Sequence, residues 1–268
     1  MSGATWPTLF IPHGGGPCFF MEQPPQWPRD TWDRMAAFLR GIDAGLGRRP
    51  RAVIVISGHW ETERPTLNVA GRPDLLFDYR GFPEHTYRLT YPVAGDPALA
   101  DEVRTLLADA GFETDVDGQR GLDHGVFVPF KLVYPDADVP VLQLSLQRDL
   151  NPATHLAIGR ALTPLRDHGV LIVGSGMSYH NTRNLFSGRG DDVAEAFDAA
   201  LTAAMRDADK RDEALVHWRD MPGAVDAHPA AEHLLPLMVA AGAASGEAGT
   251  RIYADHVLGK PISAFRFG

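Results

Sequence analysis

The chain is poor in several things, and each shortage closes off a class of protein. It has one cysteine, Cys18, in 268 residues. No internal disulfide can form, and a reducing cytoplasm is the expected setting. No window approaches the ~18 uninterrupted apolar residues of a membrane span, so no membrane partner is expected. The start, Met1-Ser2-Gly3-Ala4-Thr5, lacks a basic stretch followed by an apolar one and reads as no secretory leader. Lys and Arg are scattered and the formal charge is −9, which argues against nucleic acid as a partner. Repeats and low-complexity linkers are missing too. What remains, 44% apolar and 22% charged, is ordinary for one globular domain spanning residues 1–268. Eleven histidines are generous for this length and are the one compositional hint of chemistry.

Apolar runs alternate with helical periodicity from end to end. Thr8-Leu9-Phe10-Ile11 reads as a short buried strand. Ala52-Val53-Ile54-Val55-Ile56-Ser57 and the run 169–176 read as strands buried on both faces. Further strands are expected at 66–70, 112–116, 139–146, 251–253 and 262–267. Helices are expected at 31–46, 97–110, 126–133, 151–166, 191–208 and 229–241, with a shorter one at 211–218. This alternation predicts an α/β fold, a three-layer single domain around a central, largely parallel or mixed sheet. Ligands of such sheets bind beyond the carboxyl ends of the strands.

Histidines gather where that rule points. His13 follows the first strand in Pro12-His13-Gly14-Gly15-Gly16-Pro17, and His59 follows the second in Ser57-Gly58-His59-Trp60-Glu61. His180 comes four residues after the strand ending at Gly176. His124 sits in the turn Gly121-Leu122-Asp123-His124-Gly125, and His233, preceded by Glu232, lies at a helix start. A single histidine so placed is more often a satisfied polar residue. Several packed together are as well explained by a shared cation, because neutral imidazoles gain most by binding one. No compact His-Glu-x-x-His spacing decides between the two. A serine hydrolase is disfavoured despite the lipase-like His13-Gly14-Gly15-Gly16. Its nucleophile elbow needs Gly-x-Ser-x-Gly, but Ser175 has Val173 two residues before it and Ser178 has His180 two residues after. The aromatic stretch 77–87 is too irregular for regular structure and reads as a loop over a site, with Tyr79, Phe82 and Tyr87 as its walls. His155, His168, His217 and His256 are expected as solvated imidazoles, while His85 and His228 flank the site motifs.

Seven segments recur in a familiar order. They are His13-Gly14-Gly15-Gly16-Pro17, Ser57 to Glu61, Phe77 to Pro83, Gly121 to Gly125, Pro140 to Ser145, Gly174 through His180-Asn181, and Glu232-His233-Leu234-Leu235-Pro236-Leu237. Together, over about residues 8–267, they resemble the class III extradiol ring-cleavage dioxygenases, in the single-chain branch similar to 4,5-DOPA dioxygenase. The resemblance implies a catechol and dioxygen as substrates, and a ring opened beside rather than between the two hydroxyls. It implies His13, His59 and His233 as metal ligands and His180 as acid/base, a fourth ligand when zinc is bound. His124 is implied as a residue touching substrate or dioxygen; on the reading of the aromatic loop above, Tyr79 and Phe82 are expected to wall the ring. Fe(II) is the implied metal for activity, with Zn(II) able to occupy the purified protein; assembly into a homo-oligomer stays open. Two-subunit relatives use a Glu where this chain has Glu232, but the single-chain branch uses the following His. Two departures stand out: an extra glycine with no serine in the first motif, and Ala231 where a proline is usual. Substrate preference is expected to depart with the first. A zinc hydrolase on the same residues, or a metal- or small-ligand-binding protein without turnover, are the other functions considered.

Overall fold

The computed structural model describes residues 5–185 and 189–268; the first four residues, on which the leader reading rests, lie outside them. The elements begin β1 (Thr8–Pro12), α1 (Asp33–Leu46), β2 (Ala52–Thr62), β3 (Thr66–Asn68), α2 (Pro97–Asp109), β4 (Asp115–Asp117), α3 (His124–Val133) and β5 (Val141–Gln147). They continue with α4 (Pro152–Leu162), β6 (Val170–Gly176), α5 (Thr182–Leu185), α6 (Asp191–Arg206) and α7 (Arg211–Val216). The chain closes with α8 (Ala224–Ala227), α9 (Leu235–Ala243), β7 (Gly249–Val257) and β8 (Lys260–Phe267).

All eight strands form one sheet in the order β4-β3-β5-β2-β6-β1-β8-β7. Its centre, β5-β2-β6-β1, is parallel, as continuous apolar runs buried on both faces require. The edges are antiparallel at β3–β5, β1–β8 and β7–β8, so the sheet is mixed. The last pair is a tight hairpin. Leu258 and Gly259 both take positive φ, 50° and 84°, the conformation a two-residue turn needs to reverse a twisted strand.

Side-chain direction along β6 shows that both faces are covered. A Cβ on Gly174 or Gly176 would stand 2.2 Å from the Pro236 carbonyl and 2.1 Å from that of His233. Ser175, pointing the other way, donates its hydroxyl to the Gly125 carbonyl in α3. One face thus carries α9, with α4 behind it, and the other carries α3 backed by α1. Among the described residues no helix is long and apolar enough to cross a membrane.

Among the boundaries that differ from the sequence reading, three have a clear physical reason. β2 does not stop at Ser57 but runs to Thr62, with a register shift between Ile56 and Glu61. That bulge re-aims the strand's side chains and puts His59 on the strand itself. Helix α4 ends at Leu162 and tightens into a 3-10 turn over Thr163–His168, because Pro164 cannot donate to the α-helical ladder. Helix α9 starts at Leu235 with Pro236 in its first turn, not at Pro229. Residues 229–234 form an irregular strap across the sheet, anchored where the Met177 amide donates to the His233 carbonyl at 3.0 Å.

Candidate metal centre

His13 and His59 meet although their strands are not neighbours. β6 lies between them, and its glycine-rich end leaves room for the 229–234 strap to bring His233 across. The ring centroids of His13, His59 and His233 lie 4.6–5.2 Å from one another.

Each of the three imidazoles turns Nδ1 towards an oxygen. His13 Nδ1 is 2.9 Å from the carbonyl of Gly14, a residue at φ +80° whose missing Cβ would otherwise strike Cys18 Sγ at 2.5 Å. His59 Nδ1 is 3.7 Å from Asp78 Oδ2, and His233 Nδ1 is 3.1 Å from Glu232 Oε1. The Nε2 atoms are left without an oxygen partner. Those of His59 and His233 are 3.2 Å apart. His13 is 1% exposed, and its Nε2 is buried with no partner. An orphaned buried nitrogen costs about 1–3 kcal/mol unless something binds it. Metal-ligating histidines characteristically give their other ring nitrogen to a carbonyl or carboxylate, so this donor set fits a soft-to-borderline divalent cation.

Electrostatics favour the same state. Burial, reinforced by neighbouring histidines, holds His13 and His233 well below the ordinary imidazole pKa. His59 is lowered to about 3 by burial and then by His124, with Asp78 opposing. All three rings are neutral at pH 7, the form that can ligate a metal.

His124 and His180 complete the cluster. His124 opens α3, and both its amide and its Nδ1 donate to Asp78 Oδ1, at 3.0 and 2.8 Å. Its ring lies 3.9 Å from that of His59. His180 stacks on His233 at 3.3 Å between centroids and 13° between planes, with Nδ1 3.5 Å from Glu232 Oε1. The nitrogen positions therefore fall into two groups. His13, His59 and His124 offer atoms within 4.8 Å of one another, and so do His180, Glu232 and His233; the His59–His233 contact joins the groups. Glu232 lies against the outer nitrogens of His180 and His233 rather than between the Nε2 atoms.

Asp78 is the functional candidate that the sequence reading missed. Burial pushes its carboxyl up, but the hydrogen bond and charge of His124 and the charge of His59 outweigh that and hold it below its usual range. The signal was there: a lone acid between Phe77 and Tyr79 in an aromatic stretch. A second unread network lies below it. The fully buried Asp123 accepts from Ser57 Oγ at 2.7 Å, Gln143 Nε2 at 2.5 Å and Arg120 at 3.2 Å. Arg120 also donates to the His59 carbonyl at 3.1 Å, so this network fixes the bulge that carries His59.

Beside the cluster opens a cavity of about 530 Å³, lined among others by His180, Phe82, Trp27, Trp32 and Met177. Phe82 faces this space. Tyr79 does not line it: its hydroxyl donates to the Thr86 carbonyl at 2.7 Å, and its ring packs behind, 5.8 Å from that of His124. Ser175 and Ser178 are both buried; the first donates to Gly125 and the second accepts from the Ser263 amide. Neither is poised as a nucleophile. His155, expected at the surface, is fully buried and bridges Gln147 and Asn151. His168, His217 and His256 are exposed, as is His85. His228 is buried against Ser178, Trp218 and Phe197 and does not join the cluster of facing nitrogens.

With this geometry in place, residues 7–266 match the family described as the catalytic LigB subunit of aromatic ring-opening dioxygenase. The chain belongs to that family. This LigB-family chain is 39% identical to dioxygenase tasH of Hapsidospora irregularis, covering 98% of this chain and 85% of that protein. It is 44% identical to the 4,5-DOPA dioxygenase extradiol of Beta vulgaris over 74% of this chain and 75% of the other. With the protein of the same description from Escherichia coli K12 it shares 32% identity over 92% and 88%. A solved Escherichia coli K12 structure, of the uncharacterized protein JW3007, superposes with a TM-score of 0.76 and 28% identity, covering 98% of this chain and all of that one.

Proposed function

We propose that this chain is an extradiol dioxygenase that opens a catechol ring with O2, using Fe(II) held by the Nε2 atoms of His13, His59 and His233. The observation that carries the reading is the packing of the three rings, with the Nε2 atoms of His59 and His233 3.2 Å apart, that of His13 buried without a partner, and each Nδ1 turned to Gly14, Asp78 or Glu232. Bound there, Fe(II) would supply the open positions at which a bidentate catecholate and dioxygen come together. The rest of the work falls to side chains. His180, on the cavity side of the cluster, takes the proton of a ring hydroxyl as general base and returns it as acid when the ring opens. Glu232, 3.5 Å from its Nδ1, stabilises the protonated ring in between. Asp78, accepting from Nδ1, fixes the His124 ring, and the imidazolium form of His124 would donate from Nε2 to negative charge developing on oxygen. Phe82 walls the cavity against one face of the aromatic ring. Both oxygen atoms enter the product and no outside reductant is needed, since the ring supplies the electrons. The product is a yellow semialdehyde.

Zinc can fill the same sites, because a His-rich set binds it more tightly than ferrous iron. The test is anaerobic reconstitution with Fe(II) or Zn(II), then air and a catechol panel in an oxygen electrode. Uptake of O2 matched by yellow product with Fe(II), and none with Zn(II), supports the reading. Hydrolysis with Zn(II) and no O2 uptake with Fe(II) would overturn it.

A further inference from the structure

The cavity beside the cluster says what the catechol carries. Resting on the dioxygenase reading above, we infer that the substrate is a catechol with a bulky, uncharged, apolar substituent, and that carboxylate-bearing catechols are discriminated against. The walls are aromatic and aliphatic: Trp27, Trp32, Phe82, Met21, Met177 and Leu185. At about 530 Å³ the space is in the range that encloses drug-sized ligands, well beyond one aromatic ring.

No Lys or Arg lines this cavity among the described residues; apart from His180, the only ionisable side chain of ordinarily charged type is Glu22, an acid. Several of the polar side chains there are committed elsewhere, and Trp32 Nε1, buried without a partner, is a neutral donor. Gln23 Nε2 donates to the Cys18 and Met21 carbonyls at 2.9 and 3.3 Å, Cys18 Sγ accepts from the Gly15 amide, and the Tyr179 hydroxyl pairs with Asn184. A carboxylate entering would lose water and find no Lys or Arg to pair with, only neutral donors such as Trp32 Nε1. The nearby guanidinium groups serve other spaces. Arg29 and Arg40 line an adjoining cavity that shares Cys18, Trp27 and Trp32, among others, with this one but do not themselves line it, and Arg183 lines a polar cleft that shares only His180 and Thr182 with this one. Room for the substituent comes partly from the first motif. Gly15 has no side chain where a Cβ would lie 3.5 Å from the Trp32 ring, so a serine there would stand against that wall.

The experiment compares 4-tert-butylcatechol and 4-phenylcatechol with DOPA and 3,4-dihydroxyphenylacetate on Fe(II)-loaded protein. Affinity is measured by calorimetry under nitrogen and kcat/KM by oxygen uptake in air. The inference predicts at least about tenfold tighter binding of the uncharged pair, the cost of stripping water from an unpaired carboxylate. Met21→Arg, which puts a guanidinium into the cavity, should narrow that ratio by about tenfold. Equal or tighter binding of the carboxylates would overturn the inference, and its loss in Arg183→Ala would place the substituent in the cleft beyond His180. Because binding is read without turnover, failure of every catechol to consume O2 would fall on the dioxygenase reading and leave the affinity comparison to decide this one.

Discussion

Gly176→Ala is the sharpest structural test of how the site is assembled. The new Cβ would sit 2.1 Å from the His233 carbonyl oxygen and 3.1 Å from its carbon. Both are backbone atoms on the strap, and no side chain can swing aside to relieve the clash. Overpacking of this kind costs about 1–3 kcal/mol. Displacing the strap also stretches the hydrogen bond from the Met177 amide to His233, 3.0 Å long, a further loss of about 1 kcal/mol. At a few degrees per kcal/mol for a chain of this size, the melting temperature should drop by roughly 10 °C. The chemical consequence should be larger than the thermal one. His233 Nε2 faces His59 Nε2 at 3.2 Å, so moving the strap pulls one nitrogen out of the cluster. Metal content by atomic emission and melting by calorimetry are the assays. Gly118→Ala, whose Cβ meets only Val69 at 3.7 Å, is the control and should change neither. A Gly176→Ala protein with the parent's melting temperature and metal content would refute the claim that the missing side chain on β6 lets the strap deliver His233.

Asp78→Asn should keep the fold and the metal but lower kcat by about 10–100-fold, since it removes the charge that orients His124; an unchanged kcat in oxygen-uptake assays would show that His124 needs no such anchor. Acid should destabilise the protein in a defined window. His228 is fully buried and pushed down by burial from 6.5 to about 4. Below pH 6.5 the unfolded chain binds a proton that the folded chain excludes, so stability falls from pH 6.5 to about 4 and is flat above. The loss from His228 alone is roughly 3 kcal/mol, and His13, His59 and His233 act in the same direction. Denaturant midpoints that do not fall between pH 6.5 and 4.5 would contradict this. His228→Gln should flatten part of the slope.

Much of this was legible from residues because strand ends and glycines are local signals. The buried runs at Ala52–Ile56 and Val170–Val173 announced central parallel strands, and His13, His59 and His180 followed from where such strands stop. The antiparallel edges were not announced, since they depend on the Leu258-Gly259 turn and on which strands lie beside β1 and β5. The strap was misread as helix because Pro229 is a good helix opener. Its packing on Gly58 and Gly176, far away in sequence, holds 229–234 irregular. His155 looked solvated because helical periodicity does not reveal that α4 is sandwiched between α9 and α2. Asp78 was hidden by its aromatic neighbours, and its partner His124 lies 46 residues on. Phe82 was placed on the wall and faces the cavity, whereas Tyr79 packs one layer behind with its hydroxyl already committed to Thr86.

The central claim is that His13, His59 and His233 hold one metal, with Glu232 behind them. It is tested most directly by the iron content of His233→Ala and Glu232→Gln after anaerobic Fe(II) loading and desalting. The geometry predicts that His233→Ala loses the metal while Glu232→Gln keeps it with lowered turnover. Full iron in His233→Ala together with its loss in Glu232→Gln would contradict the account and make the carboxylate the third ligand.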